Sequence, residues 1–141
     1  MKKMLALVLM LSLAFPMTAR AGQNLTWMAA QVIQETNGDR AKNGLHALVV
    51  DPELTAAACV RAREIVKKFS HTRPNGARGV TASTTAKAEN IAKGQQSAAK
   101  VMAAWMSSPS HKRAVLRRSS TKIGVCAYRE NGIMYWVQLY N

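Results

Sequence analysis

Two long runs, Lys122 to Arg129 and Ile133 to Tyr140, flank the dipeptide Asn131-Gly132 near the end of the chain. Asn-Gly is the strongest two-residue hairpin signal, because both central positions of the tight turn must accept positive φ. This pair commits the last part of the chain to antiparallel strands. Three helical blocks precede it and no internal repeat is present. The pattern predicts an α+β fold in which helices cover a small antiparallel sheet.

Apolar residues at Leu25, Met28, Ala29, Val32 and Ile33, continued by Asn37, Arg40 and Ala41, predict a first helix stopped by Gly44. Asp51-Pro52-Glu53 opens a second: Asp51 can accept from an orphan amide, Pro52 suits the first turn, and Glu53 complements the dipole. Its apolar stripe runs Leu54, Ala58, Ala62, Ile65 and Phe69, with Arg61, Arg63, Lys67 and Lys68 outside it. Residues 73–88 are small and polar without a period, and read as a mobile loop. Glu89 to Ala92 reads as a short strand ending at Gly94. A third helix starts near Ser97, with Ala98, Val101, Met102 and Trp105 on one face, and Pro109 disfavours its continuation. A short basic helix then runs through Arg117.

Residues 1–21 read as a secretory signal: Lys2 and Lys3, an apolar run from Met4 to Phe15, and the small-residue pattern Ala19-Arg20-Ala21. The run is short of the roughly 20 residues that a membrane-spanning helix needs, and no later segment is a candidate for a transmembrane span. Residues 22–141 are then expected to form one domain, secreted or periplasmic. Removing Lys2, Lys3 and Arg20 leaves 17 basic against 7 acidic residues, a charge of +10. Such a charge attracts anionic polymers and membranes but says nothing about fold. In an exported chain, the even count of Cys59 and Cys126 favours a disulfide over two separate thiols. Once paired, they leave no cysteine nucleophile.

The helical period of the second helix runs into Phe69-Ser70-His71-Thr72-Arg73-Pro74-Asn75-Gly76, where Pro74 and the Asn75-Gly76 turn reverse the backbone. His71 is therefore displayed at a helix-to-loop corner. His46, between the first two helices, reads as structural. Ser70, Ser108 and Ser110 sit beside turns and read as caps rather than nucleophiles.

Several separated segments together resemble the CAP superfamily, named for cysteine-rich secretory proteins, antigen 5 and pathogenesis-related protein 1. They are Asn37-Gly38-Asp39-Arg40 with Gly44-Leu45 and Asp51-Pro52-Glu53-Leu54, the His71 octapeptide, Glu89-Asn90-Ile91-Ala92, Ala104-Trp105-Met106 with Ser108-Pro109-Ser110-His111, Ile123-Gly124-Val125 and Tyr135-Trp136-Val137-Gln138. Each is weak alone; their order and spacing are specific. The resemblance implies a CAP-type α-β-α sandwich with a surface cleft in which His71, Glu89 and His111 converge. In some relatives that cleft holds a divalent metal. A second acidic residue, found in many eukaryotic relatives, would fall near Ser108 and is absent here.

Two imidazoles and one carboxylate from three separate segments make the donor set of an open zinc site, with water in the fourth position. Such a site could lower the pKa of bound water and support hydrolysis. His71 and His111 are the expected ligands of zinc or another divalent metal, with Glu89 as third ligand or as orienter of one imidazole. Three function classes follow. The leading one is a secreted binding module for a lipid, glycan or anionic cell-envelope polymer; the others are a metal-dependent hydrolase using His71, Glu89 and His111, and a basic protein acting on anionic membranes or nucleic acid. For the last, Lys112, Arg113, Arg117, Arg118 and Lys122 are suggestive, but no sequence-specific nucleic-acid module accompanies them.

Overall fold

The computed structural model describes residues 22–141, so the expected signal segment lies outside the described residues. In chain order the elements are β1 (Gln23–Asn24), α1 (Thr26–Lys42), β2 (Val49–Val50), α2 (Pro52–Lys67), a 3-10 turn (Gly79–Ala82), β3 (Ala88–Lys93), α3 (Ala98–Ser107), α4 (Pro109–Val115), β4 (Lys122–Glu130) and β5 (Ile133–Tyr140). The predicted hairpin is present: Ile123 pairs with Tyr140 and Glu130 with Ile133, leaving Asn131 (φ 49°) and Gly132 (φ 76°) as the turn. Strand order is β1-β4-β5-β3, with β2 parallel to β4, so β3 forms an edge of the sheet.

Alternation along the hairpin divides the interior into two cores. Ile123, Val125, Ala127, Met134, Trp136 and Tyr140 pack with α1 and α3 on one face. Cys126, Tyr128, Tyr135, Val137 and Leu139 pack with α2 on the other. Helices thus cover both sides, giving three layers, and the strands read as nearly continuous apolar runs because neither face meets water. Asp51 caps α2 through Leu54 N at 3.0 Å, and Ser97 caps α3 through Lys100 N at 3.2 Å. The Cys59–Cys126 disulfide ties α2 to β4.

Three expectations need correction. Phe69 does not continue the α2 stripe: the helix ends at Lys67, Lys68 is extended (φ −147°, ψ 109°), and Phe69 is 50% exposed. Arg61 is not outside the stripe but fully buried. It stands seven residues after Leu54, two helical turns on, where a side chain returns to the same face. The segment 73–88 is anchored rather than mobile. Glu53 accepts from Ser83 Oγ at 2.7 Å and Thr84 N at 3.2 Å, while Arg73 holds Glu64 at 2.8 Å.

Gly124 marks the closest approach of α2 to the sheet. A Cβ there would overlap the backbone of Leu54 and Thr55, which cannot swing aside as a flexible side chain could. Gly124→Ala is expected to destabilise the domain by about 1–3 kcal/mol, the overpacking range. Urea denaturation checks this; an unchanged midpoint would mean that α2 has room to move.

Candidate functional site

The cleft runs along the free edge of β3, between the segment that follows α2 and the end of α4. Its centre is Glu89, whose side chain is only 3% exposed. β3 aims Glu89 at α2, where Arg61 Nε donates to Oε2 at 2.7 Å and Arg61 Nη2 to Oε1 at 3.2 Å. The same guanidinium donates to Glu64 Oε2 and to the Ser70 carbonyl, each at 2.7 Å. Arg61 therefore fixes both the carboxylate and the chain leading to His71. His71 Nδ1 donates to Glu89 Oε1 at 2.9 Å. Its Nε2 has no hydrogen bond among the described residues.

Burial alone would raise the Glu89 pKa, but hydrogen bonds from His71 and Arg61 outweigh it and hold the carboxyl below its ordinary value. The carboxylate stays ionised, and both oxygens are occupied. Gly79 is required beside it, because a Cβ there would overlap the carboxylate; its amide is held by the His71 carbonyl.

His111 arrives from the other side. The next residue of β3, Asn90, points to the opposite face and donates to the His111 carbonyl at 3.1 Å, and Trp105 Nε1 donates to the Ile91 carbonyl at 3.2 Å. These bonds dock α3 and α4 on β3. His111 Nδ1 is hydrogen-bonded to Ser108 Oγ at 2.9 Å, again leaving Nε2 without a partner among the described residues. Ser108 is thus not the side-chain cap that its position suggests; its hydroxyl orients an imidazole. Ser70 does behave as a local turn former, accepting from Thr72 N at 3.0 Å. Burial, followed by the nearby charge of His71, lowers the His111 pKa and favours neutral imidazole at pH 7.

His71 and Glu89 are therefore joined directly, whereas His111 borders an adjoining hollow with Phe69, Trp105 and Lys93. The cleft at His71 has a volume of about 420 Å³ and is lined by His71, Glu89 and Ser110 together with Arg78, Lys87, Arg113 and Arg117. His46, read as structural, bonds the Ser120 carbonyl at 2.9 Å, away from the cleft. Arg40, fully buried, donates to the carbonyls of His46 (3.0 Å), Val115 (2.9 Å) and Arg117 (2.9 Å), and so fixes the chain after α4. Sequence reasoning missed Arg61 as the anchor of Glu89, although its spacing from Leu54 carried the signal. Nothing in the local sequence marks Arg78 and Lys87 as partners of α4 across the cleft.

A three-layer domain with two histidines and a buried glutamate at one sheet edge is the architecture of the CAP proteins. The model of the cysteine-rich secretory protein (CAP) family matches residues 33–140, and the chain belongs to that family. It is 32% identical over 133 residues to the uncharacterised YkwD protein of Bacillus subtilis; the match covers 87% of this chain but only half of that relative's length. Among solved structures, an outer surface protein from Borrelia burgdorferi superposes with a TM-score of 0.75 at 24% identity, covering 85% of this chain and 97% of that one. An SCP-domain extracellular protein from Bacillus anthracis superposes with a TM-score of 0.72 at 20% identity, covering 82% of this chain and 40% of that one.

Proposed function

We propose that this protein works outside the cytoplasm as a binding module whose ligand enters the His71 cleft, and that zinc or a similar divalent metal is held at the border of that cleft by His71 and by His111 of the adjoining hollow. The clamped state of Glu89 carries this reading. With both oxygens bonded and its pKa held low, Glu89 is a weak general base, since an effective base titrates near the working pH. That favours binding over the metal-dependent hydrolase. The same clamp turns His71 Nε2 outward, as a carboxylate partner does for metal-binding imidazoles. Export is supported by the outer-surface and extracellular descriptions of the structural neighbours. Among the described residues no helix is long and apolar enough to cross a membrane.

The donor set fits a metal in part. Two imidazole nitrogens are available, but no three His, Cys, Asp or Glu side chains among the described residues form a metal-binding group. Catalytic zinc sites supply three protein ligands. A metal here would complete its coordination with water or ligand atoms, and Glu89 would serve as orienter rather than third ligand.

Calorimetric zinc titration tests the site. Wild type and His46→Ala should bind alike, while His71→Ala and His111→Ala should each lose the saturable phase. Binding should also weaken as pH falls toward the lowered His111 pKa, below the ordinary imidazole value, because imidazole coordinates only when neutral. Unchanged affinity in both cleft variants would sink the metal assignment.

A further inference from the structure

The charges that face the cleft are lopsided. Arg78, Lys87, Arg113 and Arg117 all line it, all are exposed, and none forms a salt bridge among the described residues. Glu89 is the one carboxylate in the lining, and Arg61 and His71 already occupy it. The acids that do pair elsewhere are committed to other cations: Asp39 to Lys42, Asp51 to Lys122 and Glu64 to Arg61 and Arg73. Unpaired cations in a concave site focus positive potential and raise the local concentration of anions. Arginine adds geometry, because its planar fork matches two phosphate oxygens at once.

The rest of the lining narrows the ligand. No Phe, Tyr or Trp ring borders the cleft, so the broad aromatic platforms on which nucleic-acid bases stack are missing from its lining. Its apolar lining is confined to Val80, Ala88, Ala114 and the glycine, too little for an acyl chain, while Thr72 and Ser110 offer hydroxyls. A volume of about 420 Å³ suits a small ligand. The wall that carries Arg113 and Arg117 is held from behind by Arg40 through the Val115 and Arg117 carbonyls.

We propose that the cleft binds a phosphate ester of a small hydrophilic body, such as a sugar phosphate, with the cationic side chains taking the phosphate and the hydroxyls and His71 facing the body. The inference rests on the binding-module reading but not on its metal. Calorimetry with glucose 6-phosphate, in EDTA and 150 mM salt, keeps the two apart: phosphate binding without zinc binding would overturn only the metal assignment. The expected result is saturable binding of glucose 6-phosphate and none of glucose. Arg113→Ala/Arg117→Ala should weaken binding at least tenfold, and Arg78→Ala on the facing wall should weaken it independently. Lys67→Ala/Lys68→Ala removes the same charge away from the cleft and should change binding less than twofold. Equal losses in the two double variants would overturn the site in favour of general charge attraction. Tighter binding of inorganic phosphate than of the ester would overturn the sugar-sized body. Binding to phosphatidylglycerol vesicles without binding to glucose 6-phosphate would overturn it in favour of a lipid headgroup.

Discussion

Arg61→Met is expected to remove about 3–5 kcal/mol of stability, the cost of breaking a buried ion pair from one side. A domain of this size has roughly 5–15 kcal/mol in total, so the variant should be at or near the edge of unfolding. The size of the effect comes from what is left behind. Arg61 has no exposed surface, and its removal leaves Glu89 almost fully buried with His71 as its only remaining side-chain partner among the described residues. Methionine fills much of the volume but cannot pair the carboxylate. Adding Glu89→Gln should therefore recover a large part of the loss, because the penalty belongs to the unpaired charge rather than to the missing arginine.

The pH dependence of these variants gives a separate readout. In the wild type, the folded pKa of Glu89 lies below its ordinary value of 4.5, so its stabilising contribution is present above that value and is lost as pH falls through the folded pKa. Removing Arg61 leaves burial offset only by His71, which moves the folded pKa upward from its wild-type position. Relative to the wild type, Arg61→Met should therefore recover stability as pH falls from 7 toward 4, so that the gap between the two narrows. Urea midpoints at the two pH values decide it. A loss under 1 kcal/mol with unchanged pH dependence would show that water, not Arg61, carries the Glu89 charge.

Removing the disulfide should cost a similar amount by a different route. Cys59 and Cys126 are 67 positions apart, and in the chain-entropy model a closed loop of that length is worth about 4 kcal/mol, exerted on the unfolded chain. Cys59→Ala/Cys126→Ala should lower the urea midpoint sharply. The cleft lies at β3, with β5 between it and the disulfide's attachment on β4, so ligand binding by the folded fraction should be preserved. Intact-mass measurement after alkylation, with and without reductant, verifies the pairing beforehand. A midpoint shift worth less than about 1 kcal/mol would contradict the entropic account.

The hairpin, the Asp51 cap, the start of α3 near Ser97 and the glycine stop after α1 were legible because each depends on local backbone chemistry. Asn131 and Gly132 accept positive φ, and Asp51 reaches an amide three residues on. The family resemblance singled out His71, Glu89 and His111 as a cluster, and the direct His71–Glu89 bond accounts for two of them. What Glu89 does there was not legible. Its role depends on Arg61, 28 residues earlier, and a helical arginine looks the same in sequence whether it faces water or a buried carboxylate.

By itself, then, the sequence determined the helices, the hairpin and the β3 segment with their approximate limits, since turns, caps and apolar period act over a few residues. Tertiary structure alone decided which charges survive as free charges. Folding buries Arg61 against Glu89 and brings Arg78 and Lys87 across from Arg113 and Arg117. The physical reason is that Coulomb energy depends on separation in space and on burial, and neither is fixed by separation along the chain.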